Sequence, residues 1–160
     1  MEESQIQFTD EEQAEIDRFC LLFGSDIKAI NKFGGSLLFT AARGYSVAVM
    51  KYLVFRGGDI HVKDHCGTTL LHVAATLNND IGVVKYLVAT GIDVNVQDCS
   101  NSTPLDWARI AEKAGYTENA AVIEYLEGVG GKSAECLRNC LTPCFPQWAS
   151  KECNIDADDF

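Results

Sequence analysis

The sequence predicts an all-α solenoid: helix-turn-helix units joined by short β-hairpin loops, stacked in a row and capped by an N-terminal helix and a C-terminal extension. Three recurring blocks carry that prediction. Asn31-Lys32-Phe33-Gly34-Gly35-Ser36-Leu37-Leu38-Phe39-Thr40-Ala41-Ala42 aligns with Asp64-His65-Cys66-Gly67-Thr68-Thr69-Leu70-Leu71-His72-Val73-Ala74-Ala75, and again with the stretch from Asp98 to Arg109, at offsets of 33 and then 34 residues. Val49-Met50-Lys51-Tyr52-Leu53 returns as Val83-Val84-Lys85-Tyr86-Leu87 and as Val122-Ile123-Glu124-Tyr125-Leu126. Gly57-Gly58-Asp59-Ile60-His61-Val62 and Gly91-Ile92-Asp93-Val94-Asn95-Val96 close the first two units. A fixed period of this size marks units that cannot bury an apolar face alone and therefore stack.

The elements follow in chain order. Residues 1–8 form an acidic, flexible lead. Residues 9–30 form a capping half-unit, because Thr9 and Glu12 have the spacing of a capping box and Ile16, Phe19 and Cys20 stand where the next unit has Val49, Tyr52 and Leu53. Its helix is expected near Asp10 to Phe23, with acidic residues in the first turn where they favour the helix dipole. Units of residues 31–63, 64–97 and 98–131 come next. Ser36, Thr69 and Thr103 each precede a helical pattern and are expected as N-caps, and Pro104 suits a first helical position, where a missing N–H costs nothing. Gly34, Gly67 and Asn101 occupy hairpin tips that demand positive φ. The third unit carries about five extra residues between its helices, where Lys113-Ala114-Gly115-Tyr116-Thr117 reads as a helix end, a turn and a new cap. The second unit has one extra residue near Asn78-Asn79-Asp80. Residues 132–160 are a cysteine-rich tail, in which Ser133 starts a short helix bearing Leu137 and Leu141 before Pro143, with Phe145 and Trp148 beyond; the tail is expected to fold back as a cap.

These blocks resemble the ankyrin repeat family, whose mark is a Thr-Pro-Leu-His stretch in a unit of about 33 residues. Thr69-Leu70-Leu71-His72 and Thr103-Pro104-Leu105-Asp106 each keep three of the four residues, and Ser36-Leu37-Leu38-Phe39 keeps the leucine with Ser for Thr. The resemblance covers about residues 10–130. It implies a non-catalytic module that binds a partner protein through the hairpin tips and the first helix of each unit. The family's variable contact positions fall on Lys32, Phe33, Gly35, Arg43 and Gly44 in the first unit, His65, Cys66, Thr68, Thr76 and Leu77 in the second, and Cys99, Ser100, Ser102, Ile110 and Ala111 in the third. Phe33, Arg43, His65 and Leu77 are the expected energetic anchors among them. His72 is implied to be structural, bonding backbone across turns. Trp107 aligns with Thr40 and Val73 and is expected in the core. Leu87 followed by Asp93-Val94-Asn95 resembles the substrate pattern of an asparaginyl hydroxylase, which makes Asn95 a modification candidate.

Composition narrows the remaining functions. A hydrophobic fraction of 47% with 22% charged residues supports a packed core and excludes a disordered chain. The net charge is −10, and residues 1–26 hold eight acidic side chains against Arg18 alone, while 27–131 are nearly balanced. With no basic stripe, neither nucleic acid nor an anionic membrane is an expected partner. The Met1-Glu2-Glu3-Ser4 opening is unlike a secretory signal and no apolar run approaches the ~18 residues of a membrane span, so a cytoplasmic monomer with reduced thiols is expected.

Enzymatic and metal readings are weaker. Gly128-Val129-Gly130-Gly131-Lys132-Ser133 ends like a phosphate loop, but Leu126 replaces the required first glycine and a helix replaces the required strand. Cys136, Cys140, Cys144 and Cys153 are weak candidate zinc ligands, since four thiolates suit zinc but spacings of three, three and eight residues depart from paired-cysteine sites. His61, His65 and Cys66 cluster in a hairpin, not on one helix face. No cofactor is expected and no catalytic set assembles. Two alternatives stand beside the binding module: a regulatory or inhibitory subunit acting through the acidic N-terminus and the cysteine-rich tail, and a small zinc-binding tail on a repeat scaffold.

Overall fold

The computed structural model describes residues 6–24, 26–77, 80–115 and 119–134. Among them run seven helices: α1 (Asp10–Phe23), α2 (Leu37–Gly44), α3 (Val47–Phe55), α4 (Leu70–Leu77), α5 (Ile81–Ala89), α6 (Pro104–Lys113) and α7 (Ala120–Gly128). The helices form two rows. The first helices α2, α4 and α6 pack side by side, the second helices α3, α5 and α7 do likewise, and α1 joins the second row against α3. The half-unit expected at the N-terminus is therefore a second helix without its first.

One core runs along the stack. Ile16 and Phe19 of α1 enter it beside Leu37, Leu38, Met50 and Leu53, followed by Leu70, Leu71, Val83, Val84 and Leu87, and then Leu105, Trp107, Val122 and Leu126. The alanine pairs Ala41-Ala42 and Ala74-Ala75 are fully buried, so the first helices approach one another closely while Val, Met and Leu fill the space between rows. Leu21, Leu22 and Ile30 remain exposed beside α1 and the first hairpin.

Capping follows the sequence at some helices and departs from it at others. Thr9 and Glu12 make the reciprocal capping box of α1, and Thr103 with Asp106 makes the same box at α6. Ser36 precedes α2 but makes no capping bond, and its buried Oγ has no hydrogen-bond partner among the described residues. Thr69 turns its hydroxyl to the His72 ring, 2.9 Å away. At α3 the cap comes from another helix: the Glu15 carboxylate of α1 accepts the Ser46 N–H at 3.1 Å and the Ser46 hydroxyl as well. Asp80, in the stretch read from sequence only as an insertion, caps α5 by accepting the Gly82 N–H at 2.8 Å.

In the enlarged third unit, α6 ends at Lys113 and Gly115 turns the chain with φ 98°. The residue before α7 is Asn119, and Thr117, expected as a new cap, lies outside the described residues along with Asn78 and Asn79. Asn119 is buried, and its side-chain amide donates to the Thr76 carbonyl on α4 at 3.3 Å. The insertion is thus tied to the second unit at its end. Leu137, Leu141, Pro143, Phe145, Trp148 and the thiols Cys136, Cys140, Cys144 and Cys153 also lie outside the described residues.

Candidate functional site

The three hairpin tips share one construction. Each begins with an Asx residue whose Oδ1 accepts two backbone N–H groups: Asn31 takes those of Phe33 (3.0 Å) and Gly35 (2.9 Å), Asp64 those of Cys66 and Thr68 (both 2.8 Å), and Asp98 those of Ser100 (2.8 Å) and Ser102 (3.0 Å). These side chains are buried beneath the tips they hold. The tip residue of each takes positive φ, at Gly34 (81°), Gly67 (72°) and Asn101 (58°), as expected. Isolated antiparallel bridges Ile30 to Ser36 and Lys63 to Thr69 close the first two hairpins. The Asx column was visible in the aligned blocks, and its presence in all three copies was the signal of its role.

Adjacent tips are bonded to each other. His65 donates its N–H to the Phe33 carbonyl at 3.2 Å, and Cys99 donates to the Cys66 carbonyl at 2.8 Å. The His65 imidazole lies over Gly34, where a Cβ would come within 2.5 Å of the ring. Lys32 places its ammonium 5.3 Å from the Phe33 ring centroid, a cation–π contact. The tips therefore form a continuous edge beside the row α2, α4 and α6.

Burial sorts the residues expected on this face. Lys32, Gly44, His65, Cys66 and Cys99 are exposed, and Phe33, Arg43, Leu77, Ser100, Ser102 and Ile110 are half-buried. Four of the residues expected on this face are buried. Thr68 and Thr76 are fully buried, Thr68 beneath its own hairpin and Thr76 with its hydroxyl donating to the His72 carbonyl at 2.9 Å. Gly35 and Ala111 are buried with them. Ser102 is half-accessible, but its carbonyl is committed to the His72 ring.

His72 and Trp107 knit the second and third units together. The His72 Nε2–H donates to the Ser102 carbonyl at 3.0 Å, while Nδ1 accepts from the Thr69 N–H at 3.2 Å and from its hydroxyl. A carbonyl only accepts and an N–H only donates, so these partners fix the neutral Nε2–H tautomer. The Trp107 ring meets His72 edge-on at 5.4 Å and its Nε1–H donates to Asp98 at 2.9 Å. Trp107 is buried, as its column implied. Burial lowers the pKa of His72 below the ordinary imidazole value and outweighs the upward pull of the Ser102 carbonyl, Asp98 and Asp64. The unfolded chain therefore takes up the proton first. The His72 contribution is complete above pH ~6.5 and is lost as pH falls below that value toward the lower folded-state pKa. Melting temperature measured from pH 7.5 down to 5.5 should fall, and the variant His72→Gln should lose that part of the dependence.

In the third unit Asp106 takes the place of the histidine and reverses the polarity of the link. It is fully buried and accepts the Thr103 N–H at 3.0 Å, the Ala134 N–H at 2.8 Å and the Ser133 hydroxyl. Thr103 also donates its hydroxyl to the Lys132 carbonyl at 2.8 Å. The Asn95 amide brackets the same segment, donating to the Gly130 carbonyl at 3.1 Å and accepting the Lys132 N–H at 2.7 Å. Residues 130–134 are thus seated on the last unit. The phosphate-loop reading of this stretch fails structurally as well, since α7 runs directly into it.

Among the described residues, no three His, Cys, Asp or Glu side chains stand close enough to hold a metal ion, and no helix is long and apolar enough to cross a membrane. Burial, the Cys99 thiol and the charges of Asp64 and Asp98 push the Cys66 thiol above its ordinary pKa. The sequence matches the family model described as ankyrin repeats (3 copies) over residues 12–98 and 37–127. No curated protein matches it.

Proposed function

The chain belongs to the ankyrin repeat family, whose members are generally protein–protein interaction modules, and from that premise we propose that it binds a partner protein through its hairpin tips and first helices. The observation that carries this reading is the continuous edge of rigid tips, each held by a buried Asx carboxylate or amide and bonded to the next. Rigid, pre-organised backbone lowers the ordering cost of binding. The accessible set is Lys32, Phe33, Arg43, Gly44, His65, Cys66, Leu77, Cys99, Ser100 and Ile110, with Ser102 at its margin. Phe33, Arg43, His65 and Leu77 supply the aromatic, cationic and apolar groups that concentrate binding energy. The family is typically non-catalytic, and the reading assigns no reaction and no cofactor.

The surface spans three tips, which suits one loop or segment of a partner, bound by a monomer in the cytoplasm. The double variant Phe33→Ala with Arg43→Glu should weaken a captured partner at least about tenfold, a loss of ~1.4 kcal/mol or more, with the melting curve little changed. Retained affinity would move the site to another face.

The regulatory-subunit reading gains one observation and loses one. Glu15, part of the acidic N-terminal segment, is already engaged in capping α3, which leaves less of that segment for a partner. The seating of residues 130–134 against Asn95 and Asp106, in turn, supports a tail that begins in contact with the repeats.

A further inference from the structure

Cys66 and Cys99 are both exposed and both free, and they come from the tips of adjacent units. Three features hold them together. The Cys99 N–H donates to the Cys66 carbonyl at 2.8 Å, and standard backbone dimensions then hold the two Cα atoms within about 6.7 Å of each other. That separation lies within the range of roughly 4.4–6.8 Å that a disulfide spans. The two tips also pack at van der Waals distance, since a Cβ on Gly67 would meet both the Cys99 nitrogen and the Asp98 Cα at 3.8 Å. The Cys99 thiol is near enough to help push the Cys66 thiol above its ordinary pKa. Neither tip is free to drift, because Asp64 holds the Cys66 N–H, and Asp98 is anchored in turn by Trp107.

We propose that Cys66 and Cys99 form a proximate dithiol that reacts as a unit with small disulfides of the glutathione type, closing to a disulfide that staples the second and third units. One protein thiol, as its thiolate, attacks a sulfur of the small disulfide, forming a mixed disulfide and releasing one small thiol. The second protein thiol then attacks the protein sulfur of that mixed disulfide, breaking its bond to the small thiol and releasing a second one. Two protein thiols are oxidised, one small disulfide is reduced to two thiols, and the two protons pass to the departing thiolates. The second step is intramolecular between pre-positioned groups, so the mixed disulfide does not accumulate. The corresponding positions in the first pair of tips are Phe33 and His65, so the stack carries this dithiol at one junction among the described residues. The inference needs no partner protein and stands apart from the binding reading.

The full chain, folded and treated with oxidised glutathione, tests it directly. Trypsin cleaves after Lys63, Lys85 and Arg109, so peptides 64–85 and 86–109 each hold one of the two cysteines and no other. After the remaining thiols are alkylated, mass spectrometry should find these two peptides joined to each other as the main product at both cysteines. Closure of the loop between them should also raise the melting temperature by about 5–10 °C. In a Cys66→Ser chain the closing thiol is gone, and glutathione should accumulate on Cys99 with no such rise. Separate glutathione adducts on Cys66 and Cys99 in the unsubstituted chain would overturn the proposal. So would linkage of either to Cys20 or to a tail cysteine as the main product, or a Cys66→Ser chain with no adduct on Cys99.

Discussion

Replacing Phe19 with alanine should cost about 3–5 kcal/mol, the range for deleting a large aromatic side chain from a packed core. Phe19 is completely buried, and its ring packs against Phe23 at 5.1 Å and edge-on against Tyr45 at 4.9 Å. It is one of the two α1 residues in the core, so the substitution removes much of what holds the capping helix to α3. A domain of this kind has roughly 5–15 kcal/mol in total, so the loss takes a large share of its stability. Urea denaturation followed by circular dichroism should show the lower midpoint. Because Glu15 on the same helix caps α3, the backbone amide of Ser46 should lose protection from hydrogen exchange at the same time. A change below about 1 kcal/mol would mean that the stack stands without α1.

Asp106→Ala should destabilise by about 2–4 kcal/mol, since it strands several polar groups that now share one buried carboxylate. The groups left behind are the Thr103 N–H, the Ser133 hydroxyl and the Ala134 N–H. The loss is local as well as global: residues 130–134 keep the Asn95 bracket, the Thr103 hydroxyl bond to Lys132 and the turn bonds of Gly130 and Gly131 to α7, while Ser133 and Ala134 lose the carboxylate that holds them. Hydrogen exchange at Ala134 should therefore accelerate more than at the core of α4. Asp106→Asn, which keeps the shape and one carbonyl oxygen, should fall between the two. Equal exchange rates at Ala134 in the variant and the unsubstituted chain would show that Asp106 does not seat this segment.

What was legible in the sequence was local or periodic. The capping box at Thr9 and Glu12, the α1 bounds and the positive φ at Asn101 are each determined by a few neighbouring residues, and the family and its helical rows by the repeat. What escaped depends on pairs far apart in sequence. Glu15 caps a helix 31 residues away, and Asn119 reaches back 43 residues to Thr76. Ser36 looks like its counterpart Thr103 in the alignment, yet α2 has Phe39 at the third position, where α6 has Asp106 to complete the box. The departure at Asp106 was visible as a missing histidine, but a motif shows only the loss and not the reversed link that replaces it.

Burial of the residues on the proposed face was not legible column by column. Columns of the repeat place Thr68 and Thr76 on the surface, but each side chain's burial is set by its particular neighbours. The Cys66 and Cys99 pair was hidden for a related reason. The units register at 34 residues here, which aligns Cys99 with His65, so two thiols 33 residues apart fall in different columns and still meet in space.

The proposed function puts a partner against the tips and first helices. Its most direct test is a photo-crosslinking residue placed singly at positions 33, 65 and 77, with positions 51 and 124 on the second helices for comparison, in a chain exposed to its native host's lysate. On this reading, adducts of one common protein should form from 33, 65 and 77, with none from 51 or 124. Adducts confined to 51 and 124 would contradict it.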